Sequence, residues 1–288
     1  MRIAVTGAQG FTGRIVCLRA REIGHDIIAL EPDLNDSAAL TEAVKAAAPD
    51  AIIHLAAISF VGHADDEAFY KVNVIGTMNL LAAATQLSTP PQKVLLASSA
   101  NIYGNCPVSP IGEATTPAPV NHYAMSKLAM EHMARTYADR LPLVIARPFN
   151  YTGVGQAPNF VIPKIVNHFR ERRSRVELGN IHVEREFNDV RMVADAYLAL
   201  LEAAPAGEVY NICTGQAHTL QNVIALLQDI TGHRIDVTVN PAFVRANEVH
   251  RLCGDPTKLR HLIETTHRPL QQPSLRETLE WMVKDATL

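Results

Sequence analysis

Short runs rich in valine and isoleucine alternate with longer stretches in which apolar residues recur at helical spacing. The runs are Ile3–Thr6, Asp26–Leu30, Ala51–Ala56, Lys93–Ser98, Leu143–Ala146 and Glu208–Ile212. Between them Phe11–Ile23, Ser37–Ala48, Asp66–Leu87, His122–Arg140 and Val190–Ala203 read as helices. Apolar strands joined by helical crossovers predict an α/β fold, a doubly wound parallel sheet covered on both faces. Beyond Pro148 the pattern loosens: Asn150–Asn159 is rich in Gly, Asn and Pro, and Asn159–Arg173, Thr219–Thr231 and Ser274–Val283 read as further helices. These predict a smaller C-terminal α/β lobe closing over the edge of the sheet. Because a strand-like run recurs at 208–212, the expected division is residues 1–150 with 188–214 returning to them, against a lobe of 151–187 and 215–288.

The first strand runs into Thr6-Gly7-Ala8-Gln9-Gly10-Phe11-Thr12-Gly13 and then a helix. Gly7 permits a tight turn, Gly10 lets the backbone approach a pyrophosphate, and Gly13 lets the helix pack on the strand. Glycine triplets alone are weak evidence, but this one lies between an opening strand and an amphipathic helix, which points to dinucleotide binding. Glu31, just past the second strand, is placed to accept hydrogen bonds from an adenosine ribose and would favour NADH over NADPH. An exposed loop glutamate is an equal reading of the same residue.

Tyr123 and Lys127, four residues apart, project from one face of a helix, so an ammonium can sit near the phenol and favour its phenolate. With Ser98-Ser99 at a strand end and Gly-x-x-Gly-x-x-Gly at the start, the chain resembles the extended short-chain dehydrogenase/reductases. His54-Leu55-Ala56-Ala57, Asn73 before Gly76-Thr77, and Arg147-Pro148-Phe149-Asn150 extend the likeness over nearly the whole chain. The resemblance implies that Ser99 holds a substrate carbonyl, Tyr123 passes a proton to its oxygen, and Lys127 tunes Tyr123 and binds the nicotinamide ribose. It also implies NAD(P)H held by Gly7, Gln9, Gly10, Phe11, Gly13, Glu31, Asp33, Leu34, Leu55, Ala56, Ala57 and Asn73, the Asp33-Leu34 pair flanking adenine. His54 and Asn73 read equally well as a satisfied strand residue and a helix-holding amide.

Residues beside Ser99 narrow the reaction. Sugar 4,6-dehydratases of this superfamily carry an acidic residue just after the matching Ser/Thr, where this chain has Ala100 and Asn101. GDP-fucose synthases carry a Cys matching Asn101 and a His matching Phe160, both replaced here. What survives is carbonyl reduction, or a 4-epimerisation using the same hydride twice. The C-terminal lobe most resembles GDP-4-keto-6-deoxy-D-mannose reductases and their GDP-mannose 4,6-dehydratase relatives, through Asn159–Ile165, Leu178-Gly179-Asn180, Val183-Glu184-Arg185 and Cys253–Lys258. That likeness implies a sugar near Ser99, Asn150 and Phe160, with a GDP portion held by Asn159, Lys164, Arg185, Arg245 and Glu248. Glu186 replaces the usual Asp after Arg185, and Arg245-Ala246-Asn247-Glu248 lacks a proline found in that group. The expected reaction is NAD(P)H-dependent reduction of GDP-4-keto-6-deoxy-D-mannose to GDP-D-rhamnose. The alternatives are a 4-epimerase, a reductase forming the 6-deoxy-talose epimer, or a non-catalytic dinucleotide sensor. A sensor is disfavoured because sensors of this superfamily often lose Tyr or Lys from the pair.

Composition excludes other classes. Twenty-six Lys+Arg against twenty-nine Asp+Glu give a charge of −3 with no basic block, which argues against nucleic acid or an anionic membrane as partner. No apolar run approaches the roughly 20 residues that cross a bilayer, and the start lacks the pattern of a secretory signal, so a cytoplasmic location is expected. Cys17, Cys106, Cys213 and Cys253 are scattered, and the twelve histidines lack metal-like spacing, so no metal is expected. In the family the helices matching 66–87 and 122–140 form a dimer seam, which implies a homodimer. Their apolar faces could equally be covered by their own sheet.

Overall fold

A computed structural model describes residues 1–243, 249–266 and 270–285. The first domain runs β1 (Arg2–Thr6), α1 (Phe11–Glu22), β2 (Asp26–Leu30), α2 (Ser37–Ala47), β3 (Ala51–His54), α3 (Asp66–Tyr70), a π turn (Lys71–Gly76), α4 (Thr77–Ala84), β4 (Lys93–Ala97), a 3-10 turn (Ala100–Tyr103), α5 (His122–Arg135) and β5 (Leu143–Pro148). There follow β6 (Tyr151–Thr152), α6 (Val161–Arg170), β7 (Arg175–Leu178), β8 (Glu184–Arg185), β9 (Asn188–Asp189), α7 (Val190–Ala203), β10 (Val209–Ile212), β11 (His218–Thr219), α8 (Leu220–Thr231), β12 (Asp236–Val239), β13 (Arg251–Leu252), α9 (Thr257–Glu264) and α10 (Leu275–Lys284). Among the described residues no helix is long and apolar enough to cross a membrane.

The main sheet is six-stranded and parallel, in the order β10-β5-β4-β3-β1-β2. Side chains alternate across it, so each strand supplies two cores. Ile3, Val5, Ile53, Leu95 and Val144 face α1 and α7, while Ala4, Ile52, Val94 and Leu96 face α2, α4 and α5. Burial on both faces is why these strands read as continuous apolar runs. The chain order reverses between β1 and β3, which opens a crevice at the carboxyl ends of the strands.

The second lobe has its own core, in which α6, α8 and α10 bury Ile165, Phe169, Val223, Leu227 and Leu279 against Val176 and Leu178 of β7. Two expectations change. Asp66–Leu87 is not one helix: the turn at Lys71–Gly76 is widened to a π turn around buried Asn73. Residues 215–288 do not all join the second lobe, because α9 buries Leu259 and Leu262 against α7 and β10 in the core of the sheet. An amphipathic helix of eight residues packs on whichever apolar surface it reaches, and the edge strand β10 supplies one.

Candidate functional site

The turn after β1 approaches the rest of the crevice so closely that only glycine fits. Gly7 has φ of 68°, and a Cβ there would lie 2.8 Å from the Ala56 nitrogen. At Gly13 it would lie 2.0 Å from the Gly7 carbonyl oxygen. The Gly10 N–H donates to that carbonyl at 3.0 Å, and α1 begins with no side-chain cap. Unpaired N–H groups at a helix start, beside a turn stripped of side chains, suit a pyrophosphate. Past β2, exposed Glu31 accepts a hydrogen bond from Gln9 Nε2 at 3.2 Å. The Asp33 carboxylate accepts from the Asn35 backbone and side chain, which holds it below the usual range. Leu34 is buried instead, packed where a Gly76 side chain would be, with its carbonyl held by Asn79. Its side chain therefore anchors the β2–α2 loop.

Leu55, Ala56 and Ala57 are half-buried at the end of β3, with the Leu55 and Ala56 N–H groups donating to Thr6 Oγ1. Parallel register sets Thr6 beside His54. Thr77 Oγ1 donates to the Asn73 carbonyl, so its lone pairs accept from His54 Nε2–H at 2.8 Å. His54 Nδ1 then accepts from the Thr6 hydroxyl at 2.7 Å. Burial, and secondarily the positive charge of Lys127, push the imidazole down to about 3. Asn73 is equally committed: its oxygen accepts from the Ile58 N–H and its Nδ2 donates to the Ile58 carbonyl and Ser126 Oγ. The π turn that interrupts the helix presents this amide to the 55–58 loop. The structure thus gives His54 and Asn73 holding roles.

Ser99 follows β4. Its Oγ accepts from the Asn101 N–H at 3.2 Å and from Asn101 Nδ2 at 3.1 Å. Both lone pairs are then engaged, which leaves the Ser99 hydroxyl proton free to act on Tyr123, whose phenol Ser99 tends to lower. The sequence suggested a stabilised phenolate at Tyr123. Burial instead pushes the phenol up to about 12, against a lowering from Ser99 and with a further rise from Tyr151. Lys127 donates to the Ala97 carbonyl at 2.8 Å and is pushed down to about 8 by burial, which the Glu131 carboxylate opposes. In a dry site desolvation outweighs the pairing that helix spacing alone suggests.

Sequence reasoning missed Tyr151. Its ring stacks on Phe11 at 6.0 Å and its hydroxyl bonds Thr12 Oγ1 at 2.8 Å, joining the glycine-rich turn to the start of the second lobe. Its position directly after Arg147–Asn150 was the one available signal. Asn150 is exposed beside it, its carbonyl accepting from the Asn188 N–H. Across the crevice, Phe160 precedes α6 and meets Phe60 edge-on at 5.7 Å, with Asn159 exposed next to it. Lys164 donates to the Glu177 carbonyl and lies 4.4 Å from the Phe243 ring centre. Arg185 donates to the Glu184 and Val249 carbonyls. Arg245 and Glu248 lie outside the described residues.

A parallel sheet with a glycine-walled crevice, and a Ser–Tyr–Lys cluster at its rim, defines a short-chain dehydrogenase/reductase of the nucleotide-sugar-modifying kind. The family model described as GDP-mannose 4,6 dehydratase matches residues 5–268, and the chain belongs to that family, whose members use NAD(P). GDP-6-deoxy-D-talose 4-dehydrogenase of Aggregatibacter actinomycetemcomitans is 36% identical, over 100% of this chain and 99% of the relative. GDP-6-deoxy-D-mannose reductase of Pseudomonas aeruginosa is 35% identical, over 90% and 89%. The structure of RMD from Pseudomonas aeruginosa complexed with NADPH superimposes with a TM-score of 0.88 at 30% identity, covering 99% and 98% of the two chains.

The relay around His54 has a pH signature. Its folded value of about 3 lies below the roughly 6.5 of an unfolded histidine. The unfolded chain therefore binds the extra proton first, so this residue's stabilising contribution is complete above about 6.5 and falls as pH drops from there toward 3. Imidazole NMR is expected to find His54 as the Nε2–H tautomer and non-titrating between pH 8 and 4. Titration near pH 6 would refute the assignment.

Proposed function

We propose that the chain reduces the 4-keto group of a GDP-linked 6-deoxyhexose, converting GDP-4-keto-6-deoxy-D-mannose to GDP-D-rhamnose. The observation that carries this reading is the buried cluster of Ser99, Tyr123 and Lys127, beside which the described residues place no second acid or base. Ala100 is buried, and the Asn101 amide is spent on Ser99. Dehydration and inversion next to the ketone both need such a group.

The dinucleotide would rest on Gly7, Gly10 and Gly13 with Glu31 at its ribose, and reduced nicotinamide supplies hydride when bound. The chain's own residues handle the proton. At neutral pH Tyr123 is a phenol, loaded to protonate a carbonyl oxygen, and Ser99 offers that oxygen a second hydroxyl. The resulting phenolate is buried, and the Lys127 ammonium one helical turn away offsets its charge. Asn159, Lys164 and Arg185, with Arg245 and Glu248, would hold the GDP portion.

A second reading, the 6-deoxy-talose epimer, is favoured by the relative of that name, which matches this chain end to end. The two differ only in which face of the ketone meets the nicotinamide. Exposed Ile75 and Met125, on the π turn and α5, support a homodimer through these helices. Tyr70 and Asp66 of α3 both reach His122 of α5, which makes one continuous face. A cytoplasmic location is part of the same proposal.

Purified protein with GDP-4-keto-6-deoxy-D-mannose and NADH is expected to consume NADH, and NMR of the product assigns C4; no oxidation with either cofactor would sink the reading. The Glu31 carboxylate should repel a 2′-phosphate, giving NADH about a ten-fold advantage in kcat/KM, roughly 1.4 kcal/mol. A preference for NADPH would remove Glu31 from the ribose. Tyr123→Phe is expected to lower kcat by about 10²–10⁴-fold with NADH affinity unchanged, and retained turnover would reassign the proton donor. Light scattering should give twice the chain mass, and a monomer at micromolar concentration would exclude the dimer.

A further inference from the structure

Behind the site lies a buried ion pair that the proton transfer does not use. Glu131 is 1% exposed and Arg147 is 4% exposed. The guanidinium grips the carboxylate with two bonds, Nε to Oε1 at 2.9 Å and Nη2 to Oε2 at 2.7 Å. Ser98 Oγ donates to the same Oε1 at 2.6 Å. Arg147 Nη1 continues to the Tyr103 hydroxyl and the Glu113 carbonyl, and Tyr103 donates to Asn211. A buried ion pair is no better for stability than apolar residues of the same volume, so its placement asks for another reason.

The carboxylate is shared by three segments, each carrying a site residue close by. Ser98 precedes Ser99 at the end of β4. Arg147 lies on β5, shortly before Asn150 and Tyr151. Glu131 itself stands one turn beyond Lys127 on α5, on the same face as Tyr123 and Lys127. We propose that Glu131 is a positioning residue: through Ser98 and Arg147 it locks the three segments together, and its negative charge keeps the Lys127 ammonium protonated in the dry crevice. Around Lys127 the titratable groups are His54 from β3 and Tyr123 and Glu131 from its own helix. Around Glu131 they are Arg147 from β5 and, beyond it, Tyr103 from the 3-10 turn and Glu113. His54 is neutral, and Arg147 acts on Lys127 in the sense opposite to Glu131, so the carboxylate is the group here that favours the ammonium.

The inference rests on the proposed part of Lys127 at the nicotinamide ribose, and not on the sugar, so it is tested with NADH alone. NADH affinity, followed by its fluorescence, should fall as pH rises through the Lys127 value of about 8. In Glu131→Gln the midpoint should move to lower pH by about one unit. Ser98→Ala, which keeps both charges, should retain the native midpoint. If Glu131→Gln does not yield folded protein by circular dichroism, Glu131→Gln combined with Arg147→Met removes the stranded cation, and because Glu131 stands nearer Lys127 on the same helix a smaller shift of the midpoint to lower pH is expected there. A midpoint equal to the native one in the folded variant would overturn the proposal and leave Glu131 as packing. Normal pH-dependent NADH binding without turnover of the ketosugar would instead count against the sugar reading.

Discussion

The site depends on keeping an ammonium charged where water does not reach. Lys127 is buried beneath the crevice and loses most of its hydration, a cost that pushes it toward neutrality. What holds the charge is local and specific: the Ala97 carbonyl on one side, Glu131 a turn along the helix on the other, and a histidine nearby that is locked neutral. A protonated His54 would oppose the ammonium at close range. The threonines on both its nitrogens satisfy the neutral ring completely, so no second cation is expected beside Lys127.

The parallel sheet explains why these groups meet. Each strand ends at the same edge, so Gly7, Glu31, Leu55, Ser99 and Asn150, far apart in the chain, are delivered side by side by β1, β2, β3, β4 and β5. The second lobe has a core of its own, but Tyr151 and the β6–β9 pair fasten it next to the glycine-rich turn. Residues of that lobe such as Phe160 are thus set against a frame whose positions are fixed by packing on both faces of the sheet.

Local features were legible in the sequence. Strands buried on both faces announce themselves as apolar runs, and the glycine spacing and the Tyr123–Lys127 interval are short-range patterns whose geometry follows from one turn or one helix. What escaped notice depends on pairs of residues distant in sequence. Nothing near Asn73 shows that Ile58 will need its amide, and nothing near Tyr151 shows that Phe11 will lie under it. The protonation of Tyr123 is hidden for a related reason: helix spacing reveals the neighbouring cation but not the depth of burial, and burial decides the sign. The packing of α9 on the sheet was hidden similarly, since its apolar face is compatible with either core.

The same balance bears on the direction of the chemistry. A phenol held near 12 stays protonated at neutral pH but is a weak acid, so it gives up its proton only to an oxygen that is gaining electrons and only if the phenolate left behind is stabilised. Oxidation of an alcohol starts from the opposite state, with a phenolate ready to accept, and it needs more electrostatic help than burial provides here. A reductase and an epimerase both pass through each state in a cycle, a reductase starting from the phenol. With the Asn101 amide committed to Ser99 and no further acid beside it among the described residues, Tyr123 is the group in this cluster that has a proton to give.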